Sequence, residues 1–398
     1  MSSGRLRGRP VAAVGVGFSK VERRSVRPLG ALAIEACTRA IDDAGLRVDD
    51  IDGLSNYPNA SRMGAGDVDG VDIVGVNFVA QAFGLENLRW STSITQGTIT
   101  ASAVEAVYAV AAGACDYALV WRGMHNPANF GEPNMRSSGD RPEFNFPYGD
   151  VHNVMRFAFP YARYLAKYGA SRQDMAVLIE RIRRDASANE DAVFFGQAIT
   201  QQDYLDSKMI AEPLSRLDCD MPVDGCAAVV FTTAERARDL RHKPAYVRGG
   251  ISLGLNYTTS PAFLLEDFQA GAARVARALW ESCGLTARDI DQANIYDGFS
   301  YFLYLYLEAL DFCGEGEAAA ILAGRGGAHD IPPFNTNGGA LGMGRLHGSP
   351  QVIEAILQVQ GRARAQVRGA QVTLAQTGGP ITGAGALVFA SEPPSIGV

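Results

Sequence analysis

AGLRVDDID (Ala44–Asp52) and CGLTARDID (Cys283–Asp291) are two versions of one segment, agreeing at the Gly, the Leu, the second Asp, the Ile and the final Asp. Each follows a helix-like run (Ala31–Asp43; Ala270–Ser282) and leads into an Asn/Tyr-bearing stretch, a register that sets Tyr57 opposite Tyr296. A weaker echo joins SAVEAVYAVAAG (Ser102–Gly113) to QVIEAILQVQG (Gln351–Gly361), both apolar helices followed by a strand (Tyr117–Trp121; Gln371–Leu374). Two echoes in the same order predict a duplicated domain, because a period above roughly 200 residues is too long for a solenoid. The halves are set at residues 1–242 and 243–398.

Local patterns fill in these halves. VAAVGVG (residues 11–17) reads as a short buried strand, since apolar runs of that length bounded by Gly seldom continue as helix. Residues 29–45 read as an amphipathic helix with Ala33, Ala36, Cys37, Ala40, Ile41 and Ala44 on one side and Gly45 as its left-handed cap. Strands alternating with helices predict α/β units whose sheets are covered on both faces. Residues from about 122 to 215 have no counterpart in the second half and are rich in Asn, Pro, Phe, Tyr and Arg. They read as a loop-rich insertion of the kind that forms binding loops or lids, with one helix at Ser171–Ala188 capped by Ser171.

A net charge of −7 removes the basic footprint that nucleic-acid binding needs. Six scattered cysteines without a CxxC pair read as reduced thiols, not as a disulfide frame or a metal site. The most membrane-like stretch, Ala101 to Trp121, carries Glu105 and Asp116 and is broken at Gly113, so no membrane span is expected and a cytoplasmic location is. No GxGxxG, P-loop, HExxH or GxSxG pattern occurs. The RIRR run (Arg181–Arg184) reads as a solvated helix face.

DDAGLRVDDIDG, PVDGCAAVVFTTAERAR (222–238), NIYDGFSYFLYLYLEALDFCGEGE (294–317), FNTNGGALGMGRLHG (334–348) and VIEAILQVQGRA (352–363) carry a shared signature. Together they resemble the thiolase superfamily, in its lipid-transfer or sterol-carrier-type branch, which includes thiolase-like aldolases of steroid side-chain degradation. The resemblance implies a five-layered αβαβα fold built from two similar halves. It also implies a nucleophilic Cys at the start of a buried helix, where the helix dipole favours thiolate. The matching segment, TQGTITASAVEA (Thr95–Ala106), offers Gln96 or Gly97 at that place. Ala375, in LAQTGGP, stands for the second family Cys, and Arg345, in GRLHG, for the usual His.

Without a thiolate no acyl-enzyme forms, which disfavours acyl transfer and leaves a thioester site suited to retro-aldol cleavage of a β-hydroxyacyl-CoA. In the related aldolases a Tyr of a YDxF motif handles the proton, and Tyr296 in YDGF matches it. Such aldolases often carry a second Tyr where this chain has Arg345. His347 and Arg345 are expected to supply charge or oxyanion contacts, and Asp297 to orient neighbours or cap the following helix. Gly338, Gly339, Gly378 and Gly379 are expected to let backbone approach the thioester, and Tyr148 and His152 to line the acyl pocket. Cys313 reads as a buried thiol. The expected substrate is a coenzyme A thioester with a bulky apolar acyl group, and no bound cofactor is called for. The resemblance further implies a homodimer and a small OB-fold, zinc-ribbon partner. A non-catalytic acyl-CoA-binding or lipid-binding protein, or a scaffold for that partner, is the alternative; residual thiolase chemistry is a third.

Overall fold

The computed structural model describes residues 8–57, 68–94, 97–125, 153–253, 264–327, 329–381 and 383–394. Its centre is a nine-stranded sheet in the order β3-β2-β4-β7-β1-β8-β11-β10-β9. These are β1 (Val11–Phe18), β2 (Gly53–Asn56), β3 (Trp90–Ser93), β4 (Tyr117–Met124), β7 (Gly225–Thr233), β8 (Ala245–Leu253), β9 (Gln292–Asn294), β10 (Val372–Thr377) and β11 (Ala384–Ala390). Two short strands, β5 (Met209–Ala211) and β6 (Leu214–Ser215), form a separate hairpin. Outward from the centre, β1-β7-β4-β2 on one side mirrors β8-β11-β10-β9 on the other, and the halves join where Ala12 and Ala13 pair with Tyr246 and Ala245.

The duplicated segments do the same work twice. Gly45 (φ 76°) and Gly284 (φ 67°) end the helices α1 (Leu29–Ala44) and α6 (Leu265–Cys283). Each is followed by a single 3₁₀ turn, Val48–Asp50 or Ala287–Asp289. The final Asp of each segment then clamps the neighbouring strand. Asp52 accepts from the backbone N–H groups of Asp116 and Tyr117 at β4, and Asp291 from those of Gln371 and Val372 at β10. A carboxylate collecting two backbone donors at a strand entrance fixes its register, which explains why these aspartates persist in both copies.

Helices sandwich both halves. α1 covers one face of the first half, with Leu32, Ala36, Cys37, Ala40 and Ile41 packed on β1, β4 and β7. α3 (Ile99–Ala112) and α8 (Ser349–Gln360) fill the middle, each touching strands of both halves. α6 covers the outer face of the second half through Phe268, Val275 and Leu279, each burial worth about 1.5–3 kcal/mol. The layers therefore run α, β, α, β, α. Two shorter helices complete the numbering, α2 (Val76–Phe83) beside α1 and α7 (Phe302–Ala309) beside α6. No described helix is long and apolar enough to cross a membrane.

The insertion departs from expectation. Its described part carries two long helices, α4 (Asn153–Tyr168) and α5 (Arg172–Ser187), ahead of the β5–β6 hairpin. α5 begins at the expected cap, Ser171, closed reciprocally with Asp174. α4 is hidden in the sequence by Pro160 within it, a residue that normally argues against a helix interior. It is held by aromatic stacking, Tyr161 on Tyr301 (5.2 Å between centroids) and Tyr164 on Tyr304 (5.4 Å). Of the RIRR run only Arg184 is exposed. Arg181 lies over the Phe334 ring at 4.0 Å and Arg183 over Phe194 at 3.6 Å.

Candidate functional site

Tyr296 follows β9, and its backbone is held from two directions. Asn335 brackets Ile295, accepting from its N–H at 2.7 Å and donating to its carbonyl at 2.8 Å. Gln376 on β10 accepts from the Tyr296 N–H at 3.1 Å. The rest of YDGF then divides into distinct tasks. A Cβ on Gly298 would lie 2.5 Å from the Tyr296 hydroxyl oxygen, so only glycine leaves room for the phenol there. Phe299 stacks on Phe157 of α4 at 4.3 Å, an aromatic wall beside the tyrosine.

Asp297 turns out to be a helix cap. It is fully buried and accepts from the backbone N–H groups of Ala340 (2.6 Å) and Leu341 (3.3 Å) and from the Gln351 amide (2.9 Å). It closes the start of the short helix Gly339–Met343, a segment distant in sequence, and not the helix α7 that follows it. Burial pushes its carboxyl up to about 7 against the pull of those donors. Packing requires Gly338 and Gly339 in the same region. A Cβ on Gly339 would lie 2.2 Å from Asp297 Oδ2 and one on Gly338 2.6 Å from the Ala186 methyl, so these glycines serve the cap and the packing on α5. Gly378 (φ 86°) turns the chain after β10 against Thr98 at the start of α3, with Gly379 buried beside it.

The hydroxyl of Tyr296 faces Asp220 Oδ2 at 3.5 Å, and Asp220 Oδ1 accepts from Arg345 Nε at 2.6 Å. Asp220 was not singled out in the sequence. It comes from LDCD (217–220), whose two aspartates have separate duties. Asp218 anchors the segment, accepting from Tyr204 (2.7 Å), Ser300 (2.6 Å) and the Ser215 N–H (2.8 Å). Asp220 is thereby presented to the site, its N–H bonded to the Gly298 carbonyl and the next residue pairing with the Arg345 N–H. Burial pushes the Asp220 carboxyl up while Arg345 and Tyr296 pull it down. Burial opposes the Arg345 charge, but Asp220 more than offsets it. The Tyr296 phenol is held well above its ordinary range by burial and by Asp220, so it carries its proton at neutral pH.

His347 belongs to a second cluster. It is half-buried, with φ 48°, a left-handed conformation that residues other than glycine seldom adopt. Arg122 of β4, which the sequence reading also missed, donates from Nη2 to His347 Nδ1 at 3.1 Å and from Nη1 to the Tyr57 carbonyl. Its guanidinium lies 4.5 Å from the Tyr57 ring centre, and the Tyr57 and His347 rings are 6.3 Å apart. The two echoed tyrosines, 57 and 296, thus stand in one site, one against a cation and one against a carboxylate. Burial, reinforced by Arg122 and Arg345, drives the imidazole well below its ordinary value.

At the nucleophile's expected place, Gly97 has φ 107°, and Gln96 lies outside the described residues, as do Tyr148 and His152. The first turn of α3 is closed instead by three buried hydroxyls. Thr98, Thr100 and Thr377 contact one another at 2.5–2.7 Å. Ala375, the expected stand-in for the second Cys, is packed in the sheet core, and Gln376 is the residue of that turn that reaches Tyr296. Cys219 is adjacent to Asp220 in the chain, and its backbone bridges to Phe299. Burial and the carboxylates of Asp218 and Asp220 push it far up, which keeps it a thiol. Burial likewise pushes Cys313 to about 12.

Residues 262–391 match the family described as thiolase C-terminal domain-like. The chain is 33% identical to a 17-hydroxy-3-oxo-4-pregnene-20-carboxyl-CoA lyase of Mycobacterium tuberculosis, over 94% of this chain and 97% of that protein. It is 30% identical to a steroid side-chain-cleaving aldolase of Thermomonospora curvata, over 94% of this chain and 96% of that one. Among solved structures it superposes on an Ltp2-ChsH2(DUF35) aldolase with a TM-score of 0.82 and 29% identity, covering 97% of this chain and 99% of that chain.

Proposed function

Because the chain belongs to the thiolase superfamily, in its sterol-carrier-type, thiolase-like branch, we propose that it is a carbon–carbon lyase cleaving a β-hydroxyacyl-CoA by a retro-aldol route. The single observation carrying this reading is the pairing of a protonated, half-buried Tyr296 with Asp220, in a fold whose α3 N-terminus carries threonines in place of a thiol. The relatives named as a CoA lyase and a side-chain-cleaving aldolase support it.

In this reading the substrate's hydroxyl proton passes to the Tyr296 oxygen as the phenolic proton moves to Asp220, whose charge Arg345 balances. The electrons of the C–C bond flow into the thioester, giving a ketone or aldehyde and an enolate. The proton returns through Tyr296 to the α-carbon, so the cycle is redox-neutral and needs no bound cofactor. The aromatic wall of Phe157 and Phe299 suits a bulky apolar acyl group of steroid type. A homodimer, a cytoplasmic location and a small OB-fold, zinc-ribbon partner complete the proposal. The structure of the similar aldolase, named as an Ltp2-ChsH2(DUF35) assembly, supports a protein partner.

The test is to incubate the protein, alone and with such a partner, with β-hydroxyacyl-CoAs and to assay for the carbonyl product and the shortened acyl-CoA. Cleavage that disappears in Tyr296→Phe is the expected result. Thioester binding without cleavage would leave the non-catalytic binder as the better reading.

A further inference from the structure

We propose that Arg122 is a positioning residue of this site: it fixes His347 as the Nε2–H tautomer, so that His347 donates to the thioester oxygen as negative charge gathers there. The inference rests on the lyase reading above, but its geometry stands on its own. A guanidinium has donors and no acceptor. The nitrogen it contacts, His347 Nδ1 at 3.1 Å, must therefore accept, and the single proton of a neutral imidazole must sit on Nε2. Nε2 has no hydrogen-bond partner among the described residues, which leaves that N–H available to a ligand.

The groups around the imidazole decide between acid, base and electrophile. Arg122, Arg345 and the Tyr57 ring face it, and the carboxylate behind Arg345, Asp220, is already engaged. Two guanidinium groups oppose imidazolium, so His347 cannot serve as a proton acceptor near neutral pH. A neutral donor held in place before reaction is what an enolate oxygen needs, since nothing has to reorganise as charge develops. Arg122 itself is fully buried and makes no ion pair with a carboxylate among the described residues, and its Nε is without a hydrogen-bond partner. An uncompensated buried cation is costly to fold. Its retention at this spot is explained by the negative charge that forms beside it during turnover.

The experiment is nitrogen NMR on the whole protein labelled at histidine, with the His347 signals identified by their loss in His347→Gln. The expected result is a neutral ring protonated at Nε2 from about pH 5 to about pH 8. A proton on Nδ1, or an imidazolium in that window, would overturn the proposal. Arg122→Met keeps the bulk of the stem without the donor and should release the tautomer. It should also lower kcat by roughly 10²–10³ with KM changed only a few-fold, and Arg122→Lys should restore at least part of both. A raised KM with unchanged kcat would count against it. The spectrum needs no substrate, so failure of the lyase reading and failure of this one are separately visible.

Discussion

Arg345 donates its Nε–H to Asp220 at 2.6 Å across 125 residues of chain, and the carboxylate it holds is the one that faces the Tyr296 hydroxyl. The pair sets the electrical environment of the phenol.

Replacing Tyr296 by Phe removes the proton carrier and leaves the ring packed. Cleavage should fall by about 10²–10⁴ while thioester affinity, measured by calorimetry, stays within a few-fold.

Asp220→Ala should destabilise the fold by about 3–5 kcal/mol, because it breaks a pair whose carboxylate is fully buried and whose guanidinium is largely so. In a double-mutant cycle with Arg345→Ala, denaturant unfolding should show the pair losing clearly less than the sum of the single changes.

Gly298→Ala tests geometry alone. The new methyl would stand 2.5 Å from the Tyr296 hydroxyl oxygen, so the phenol must move. Turnover should drop by at least about tenfold, given how steeply rate depends on placement. A crystal structure of the variant should show the displaced ring.

Asp297 gives a pH signature. Its folded value near 7 lies above the ordinary 3.8, so the folded state holds the proton more tightly than the unfolded chain. The stability this contributes is complete below about pH 4 and is lost as pH rises through about 7, amounting to at most about 4 kcal/mol. The stability difference between wild type and Asp297→Asn, followed by urea unfolding, should decline over that interval and level off above it.

Cys219→Ser should keep most of the turnover. Mass spectrometry of the wild type after incubation with an acyl-CoA should show no acylated chain, because a thiol raised by burial and two carboxylates is a poor nucleophile.

Much of the architecture was legible because its signals are local. The Gly45 cap, the Ser171 cap and the duplicated Asp52 and Asp291 are read from a few adjacent residues, and each forms the expected element. Tyr296 was legible through YDGF. Asp220 and Arg122 were not, since their meaning depends on partners 76 and 225 residues away. The only local trace of Asp220 is the doubled aspartate of LDCD. The packing duty of the GG at 338–339 was not legible for the same reason, because the group pressing on it is Asp297, and glycine pairs look alike whether they face a ligand or a carboxylate. α4 was missed because aromatic stacking from another helix, invisible in its own pattern, outweighs its internal proline.

The two echoed tyrosines entered this chain as copies and ended in opposite company, Tyr57 beneath the Arg122 cation and Tyr296 against the Asp220 carboxylate. The paired positions have therefore lost the symmetry of their origin and gained a polarity, positive beside Tyr57 and negative beside Tyr296. On the lyase reading, that polarity tells a thioester oxygen from an alcohol and sets which way round a substrate enters.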